Sequence, residues 1–205
     1  MTIPASLEPD ENVARKTLQT SSVLEARNVY KVFVARGKAR TALRNVDLTI
    51  HRGEFVCLVG PSGCGKSTVL NMFAGLVTPT DGTILHDGRV IAGVNTRVGY
   101  VTQDDNLLPW RSTLDNVLFS LEVQGKLDDA SRARAEKLIE AVGLAGFEKY
   151  YPHELSGGMR KRTALIRTLV YDPPIILMDE PFAAVDAQTR MQLQADLLRL
   201  WEMGR

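Results

Sequence analysis

The sequence has only two cysteines, Cys57 and Cys64, and they form no CxxC pair. A disulfide scaffold is therefore disfavoured, and a reduced, cytosolic setting fits better. Charge of one sign is also lacking. Lysine and arginine number 25 against 24 acidic residues, a net charge of +1, which gives no broad electrostatic reason to bind nucleic acid. No apolar run approaches the roughly 18–20 residues that a spanning helix needs. The N-terminus has no charged flank followed by an apolar stretch, so a signal peptide is not expected. Any membrane role must come through a partner. No internal repeat or low-complexity run is evident. What is present is an ordinary globular composition, 44% hydrophobic and 24% charged over 205 residues, enough for one domain with a sizeable core.

Residues 1–22 are polar and carry Pro4, Glu8, Pro9, Asp10 and Glu11, which reads as a mobile tail. From Val23 the pattern is strand-like. Val46, Leu48 and Ile50 alternate with polar residues, as in a half-buried strand. Phe55–Val59 and Ile175–Met178 are continuously apolar, which predicts parallel strands covered on both faces. Short strands are expected over Thr83–His86 and Arg97–Thr102, bounded by turn signals such as Asp81-Gly82 and Asp87-Gly88. Helical spacing aligns Ala135, Leu138, Ile139 and Val142, then Ile166, Leu169 and Val170, then Leu193, Leu197, Leu200 and Trp201. These are read as core stripes.

Gly60-Pro61-Ser62-Gly63-Cys64-Gly65-Lys66-Ser67-Thr68 fits GxxxxGK[ST]. The expected strand Phe55–Val59 leads into it and a helix-compatible run, Thr68–Ala74, follows. A triphosphate carries several negative charges and needs many donors at short range. Glycines let the backbone wrap closely, and the helix N-terminus adds partial positive charge. Lys66 should reach the β- and γ-phosphates, Ser67 should ligate Mg²⁺, and Thr68 should contact phosphate. Cys64 reads as a small loop filler.

Ile175–Met178 ends in Asp179-Glu180-Pro181. Carboxylates at the C-terminal edge of a parallel strand face the ligand crevice of an open α/β sheet. Asp179 would hold Mg²⁺ through water, and Glu180 would act as general base on the attacking water. Leu155-Ser156-Gly157-Gly158-Met159 precedes a basic amphipathic helix carrying Arg160, Lys161, Arg162 and Arg167. A cap residue, two glycines and a helix start make a second anion site. One phosphate loop already serves one triphosphate, so a second site suggests a nucleotide shared with another chain.

With these segments in hand, the sequence resembles the ATPase subunits of ABC transporters. It matches their Walker A (Gly60–Thr68), Q-loop (Gln103), signature (Leu155–Met159), Walker B (Ile175–Asp179), following glutamate (Glu180) and D-loop (Ala184-Val185-Asp186), in the family order. The resemblance covers about Val23 to Arg205. It implies an α/β fold: a P-loop NTPase (RecA-like) core with an antiparallel β subdomain and a helical subdomain inserted over 104–158. It also implies ATP and Mg²⁺ as cofactors and a head-to-tail dimer that sandwiches the nucleotide. Ser156, Gly157 and Gly158 would contact the γ-phosphate held by the partner chain. Gln103 would approach Mg²⁺ and sense the γ-phosphate, and Asp186 would pack across the dimer interface. Phe33 would stack on adenine, with Tyr30 as the alternative.

The resemblance further implies transmembrane permease subunits, a solute-binding protein, and a place on the cytoplasmic face of the membrane. Leu107-Leu108-Pro109-Trp110-Arg111 and Met159 resemble importers of the nitrate, sulfonate, taurine and bicarbonate type, with Trp110 either a packing residue or a partner contact. Rival expectations are a soluble ABC ATPase of DNA repair or translation, a non-catalytic nucleotide-binding regulator, and an exporter cassette. Two departures stand out. The D-loop reads Ala-Val-Asp where Ala-Leu-Asp is commoner. His51, His86 and His153 all precede Asp179, so none can be the switch histidine the family places after Walker B. The domain is therefore expected to be C-terminally incomplete, to bind MgATP, and to need residues beyond 205 for strong hydrolysis.

Overall fold

A computed structural model describes residues 22–182 and 185–203, with side chains described through residue 198. The expected N-terminal tail falls outside the described residues except for Ser22, which opens the first strand. The chain divides into two compact units, Met1–Asn95 and Thr96–Arg205.

The first unit is built on an antiparallel sheet. Strands β1 (Ser22–Ala35), β2 (Lys38–His51), β3 (Asp81–His86) and β4 (Arg89–Val90) lie in the order β2-β1-β3-β4. Two-residue turns at Arg36-Gly37 and Asp87-Gly88 close the hairpins β1–β2 and β3–β4. The alternation of Val46, Leu48 and Ile50 is realised in β2, where each is half-buried and Asn45, Asp47 and Thr49 are exposed. Asp81-Gly82, expected as a turn, instead lies inside β3, with Asp81 opposite Tyr30. Helix α1 (Lys66–Phe73) packs beside β3, and Leu24, Val29, Met72 and Phe73 are almost wholly buried. Burying a side chain of this size contributes about 1.5–3 kcal/mol each.

One expectation fails here. Phe55–Val59 forms no strand, and Phe55 and Val59 are 75% and 90% exposed. A parallel strand covered on both faces needs a hydrogen-bonding neighbour. The four strands of its own unit pair among themselves and offer it none.

The second unit holds a two-stranded parallel sheet, β5 (Val98–Val101) with β6 (Ile175–Met178). Between them in sequence come α2 (Thr113–Val123), α3 (Asp129–Ala141), a 3₁₀ turn (Pro152–Glu154) and α4 (Gly157–Leu169). Helix α5 (Ala187–Met203) follows β6. The expected stripes form the core. Ala135, Ile139, Val142, Ile166 and Val170 are each no more than 2% exposed and cluster with Val117, Leu118, Leu121 and Leu165. Leu193 is buried and Leu197 packs against the cluster, while the side chains of Leu200 and Trp201 lie outside the described residues. Asn116 is fully buried, and its amide satisfies the backbone of Leu108, Arg111 and Ser112. It thereby pins the turn that carries Trp110, which is 70% exposed.

Candidate nucleotide site

The phosphate loop lies in the first unit. Cys64 N–H donates to the Pro61 carbonyl at 3.3 Å and Val69 N–H to the Gly65 carbonyl at 3.0 Å, so the loop curls directly into α1. Gly65 has φ 105, and a Cβ there would lie 2.6 Å from Leu43 Cδ2 and 3.0 Å from the Ala42 carbonyl. Only glycine lets β2 come this close. No side chain caps α1 and no acidic residue occupies its first turn, a helix start whose chemistry suits an anion. Lys66 Nζ folds back on its own loop, donating to the carbonyls of Gly60 at 3.0 Å and Pro61 at 3.3 Å. Gly60, Pro61, Ser62, Gly63, Cys64 and Ser67 are exposed, and Thr68 is half-buried. On β1, Phe33 is 43% exposed with Lys31 Nζ 4.9 Å from its ring centroid. Tyr30 is half-buried.

The acidic pair lies in the second unit. The Asp179 amide donates to the Val101 carbonyl at 2.9 Å, so the β5–β6 pairing runs one residue past the sheet. Because these strands are parallel, Gln103 and Asp179 leave from the same end. The Tyr100 hydroxyl is hydrogen-bonded to Asp179, and burial and then the negative carboxylate push the phenol up to about 12. Glu180 is exposed and has φ 45, a left-handed conformation that costs a side chain of this kind about 1–2 kcal/mol. It is a strained residue at the position assigned the general base.

The segment read in sequence as a second anion site is a helix start beside a second one. Ser156 is the N-cap of α4, its Oγ accepting from Met159 N–H at 3.3 Å. Asp186 caps α5, its Oδ1 accepting from Thr189 N–H at 2.9 Å. The Thr189 hydroxyl and amide hold the Asp186 carboxyl below its usual range. Both helix starts open into one cleft of about 370 Å³ lined by Ser156, Gly157, Gly158, Arg162, Asp186 and Thr189. A Cβ at Gly158 would meet Thr189 Cγ2 at 2.9 Å, so any larger residue there would have to displace the Thr189 side chain. Ser156, Gly157, Gly158 and Asp186, singled out separately in sequence, are thus brought together. Ala184 of the D-loop lies outside the described residues.

Sequence reasoning missed how the basic face of α4 is used. Lys161 Nζ donates to the Gln103 carbonyl. Arg167 donates to the carbonyls of Asp105 at 2.9 Å and Asn106 at 2.8 Å. Arg160 Nε pairs with Asp105 at 3.1 Å. Three cations therefore clamp residues 103–106. The signal was the run of basic residues after the two glycines, but its target could not be read locally.

The family model described as ABC transporter matches residues 43–183. The chain belongs to the ABC transporter family. It is an ATP-binding ATPase of that family. The cassette is 47% identical over 176 residues to the taurine import ATP-binding protein TauB of Burkholderia pseudomallei, covering 86% of this chain and 68% of that one. It is 43% identical over 179 residues to the nitrate import ATP-binding protein NrtD of a Synechocystis species, covering 87% and 67%. Among solved structures it resembles the dimeric post-hydrolysis state of the ATP-binding cassette MJ0796 bound to ADP and Pi. The TM-score is 0.76 and the identity 35%, over 86% of this chain and 82% of that one. No described helix is long and apolar enough to cross a membrane.

Proposed function

We propose that this cassette powers import of a small anion, of the nitrate, sulfonate, taurine or bicarbonate kind, by hydrolysing MgATP between two copies of itself. The observation that carries the reading is the cleft where the Ser156 helix tip and Asp186 meet. One copy cradles the triphosphate with Gly60–Thr68, and the other closes on the γ-phosphate with Ser156, Gly157 and Gly158. Phe33 stacks on adenine, and Asp186 packs across the interface.

Magnesium suits the donors assigned to it, which are all oxygen: the Ser67 hydroxyl, the Gln103 amide and Asp179. An ion of this kind keeps several waters and substrate phosphates in its shell, so few protein ligands suffice. When bound, it neutralises charge on the β- and γ-phosphate oxygens. Lys66 and the helix-tip amides stabilise the transition-state charge. Glu180 accepts the proton of the attacking water, a role worth about 10²–10⁴-fold. Loss of the γ-phosphate removes what the second copy was holding, and the pair reopens.

The helical segment 104–158 is the part assigned to the permease subunits, with exposed Trp110 as one contact. The cassette would then work on the cytoplasmic face of the membrane, with a solute-binding protein supplying the anion. The taurine and nitrate import names of two relatives support the solute class. The test is Glu180→Gln with MgATP, analysed by light scattering. A dimer that forms with MgATP and not with MgADP is expected. A chain that takes up no MgATP in calorimetry, or stays monomeric with it, sinks the reading.

A further inference from the structure

We propose that Tyr100 is a positioning residue for the metal site, its hydroxyl fixing the orientation of the Asp179 carboxylate. The inference rests on the MgATP reading above and adds a residue to it.

The register dictates the contact. Tyr100 on β5 is opposite Leu177 on β6, and Val101 is opposite Met178. Side chains alternate along a strand, so Leu177 and Asp179 share a face, and Tyr100 stands on that same face diagonal to Asp179. A diagonal neighbour is within reach of a long aromatic side chain. The amide of Asp179 is already held by the Val101 carbonyl at 2.9 Å, so its backbone cannot drift. The Tyr100 hydroxyl adds a hydrogen bond to its carboxylate.

Outer-shell partners of this kind are typically worth about 10–100-fold in metal affinity. The measurement is Mn²⁺ binding by electron paramagnetic resonance, at saturating ATP, for the wild-type chain and Tyr100→Phe. The phenylalanine keeps the ring and removes only the hydroxyl. Affinity for ATP in excess chelator serves as the reference. About tenfold weaker Mn²⁺ binding with unchanged metal-free ATP affinity is the expected result. Mn²⁺ affinity equal to or tighter than wild type overturns the proposal, as does an equal loss in metal-free ATP binding. Thermal melting of both proteins checks that the ring packing survives. A wild-type chain that binds no Mn²⁺ with ATP overturns both this inference and the MgATP reading, whereas a normal wild type with an indifferent Tyr100→Phe overturns this inference alone.

Discussion

Replacing Asp196 by alanine should destabilise the second unit through a single stranded charge. Asp196 lies on α5 with its side chain 3% exposed, and its Oδ2 is 3.0 Å from Arg162 Nε on α4. The Nε–H is not aimed well enough to count as a hydrogen bond, so charge attraction holds the pair. Gln192 Nε2 donates to the other carboxylate oxygen at 3.1 Å. Removing one partner of a buried pair costs about 3–5 kcal/mol, because the remaining charge is left uncompensated. Arg162 keeps 20% of its side-chain exposure and can recover some hydration, so the low end, about 3 kcal/mol, applies. A domain of this size loses about 2–4 °C of Tm per kcal/mol, so a drop of about 6–12 °C is expected. Thermal unfolding followed by circular dichroism reads it directly. The double variant Arg162→Met with Asp196→Leu should recover most of the loss, since an apolar pair of similar volume is often neutral. A drop below about 2 °C for Asp196→Ala, or a double variant worse than the single, would refute the argument.

Other outcomes follow from the same geometry. Lys66→Ala removes the charge assigned to the β- and γ-phosphates and should weaken MgATP binding about tenfold or more in calorimetry, since a charged hydrogen bond is worth about 1.5–3 kcal/mol; unchanged affinity would contradict its role. Arg167→Ala unfastens the carbonyls of Asp105 and Asn106. Hydrogen exchange over residues 103–106 should rise severalfold while exchange in α3 stays unchanged, and equal exchange in wild type and variant would count against the clamp.

How far the sequence could be read depends on whether the information was local. The alternation in β2 and the stripes of α3 and α4 appear as expected, because period and composition within a dozen residues decide which face is buried. The apolar run Ile175–Met178 forms its parallel strand because Val98–Val101 is there to pair with it. Phe55–Val59 carries the same local signal and forms none, since pairing is a property of the neighbour as much as of the run. The clamp was invisible for a related reason. Lys161 and Gln103 are 58 residues apart, and a cation's identity does not say which carbonyl it will meet. The phosphate loop and the Ser156 cap were legible because their chemistry lies within one short segment.

Glu180 offers a way to separate chemistry from backbone. Its φ of 45 is left-handed, and the residue that follows is Pro181, whose ring restricts the conformations open to its predecessor. Strain of this kind persists only where the surroundings hold it in place, and such residues cluster at functional sites. Glu180→Ala and Glu180→Gly both remove the carboxylate, so both should abolish hydrolysis equally. They differ in what they do to the backbone. Alanine retains the Cβ and the cost of about 1–2 kcal/mol for the left-handed form. Glycine relieves it but loses about 0.5–1 kcal/mol through its greater freedom when unfolded. The balance favours glycine, so denaturant unfolding should find Glu180→Gly the more stable of the two inactive variants by about 0.5–1 kcal/mol. If alanine is as stable as glycine, the conformation is not strained, and the coincidence of strain with the general base has no energetic content.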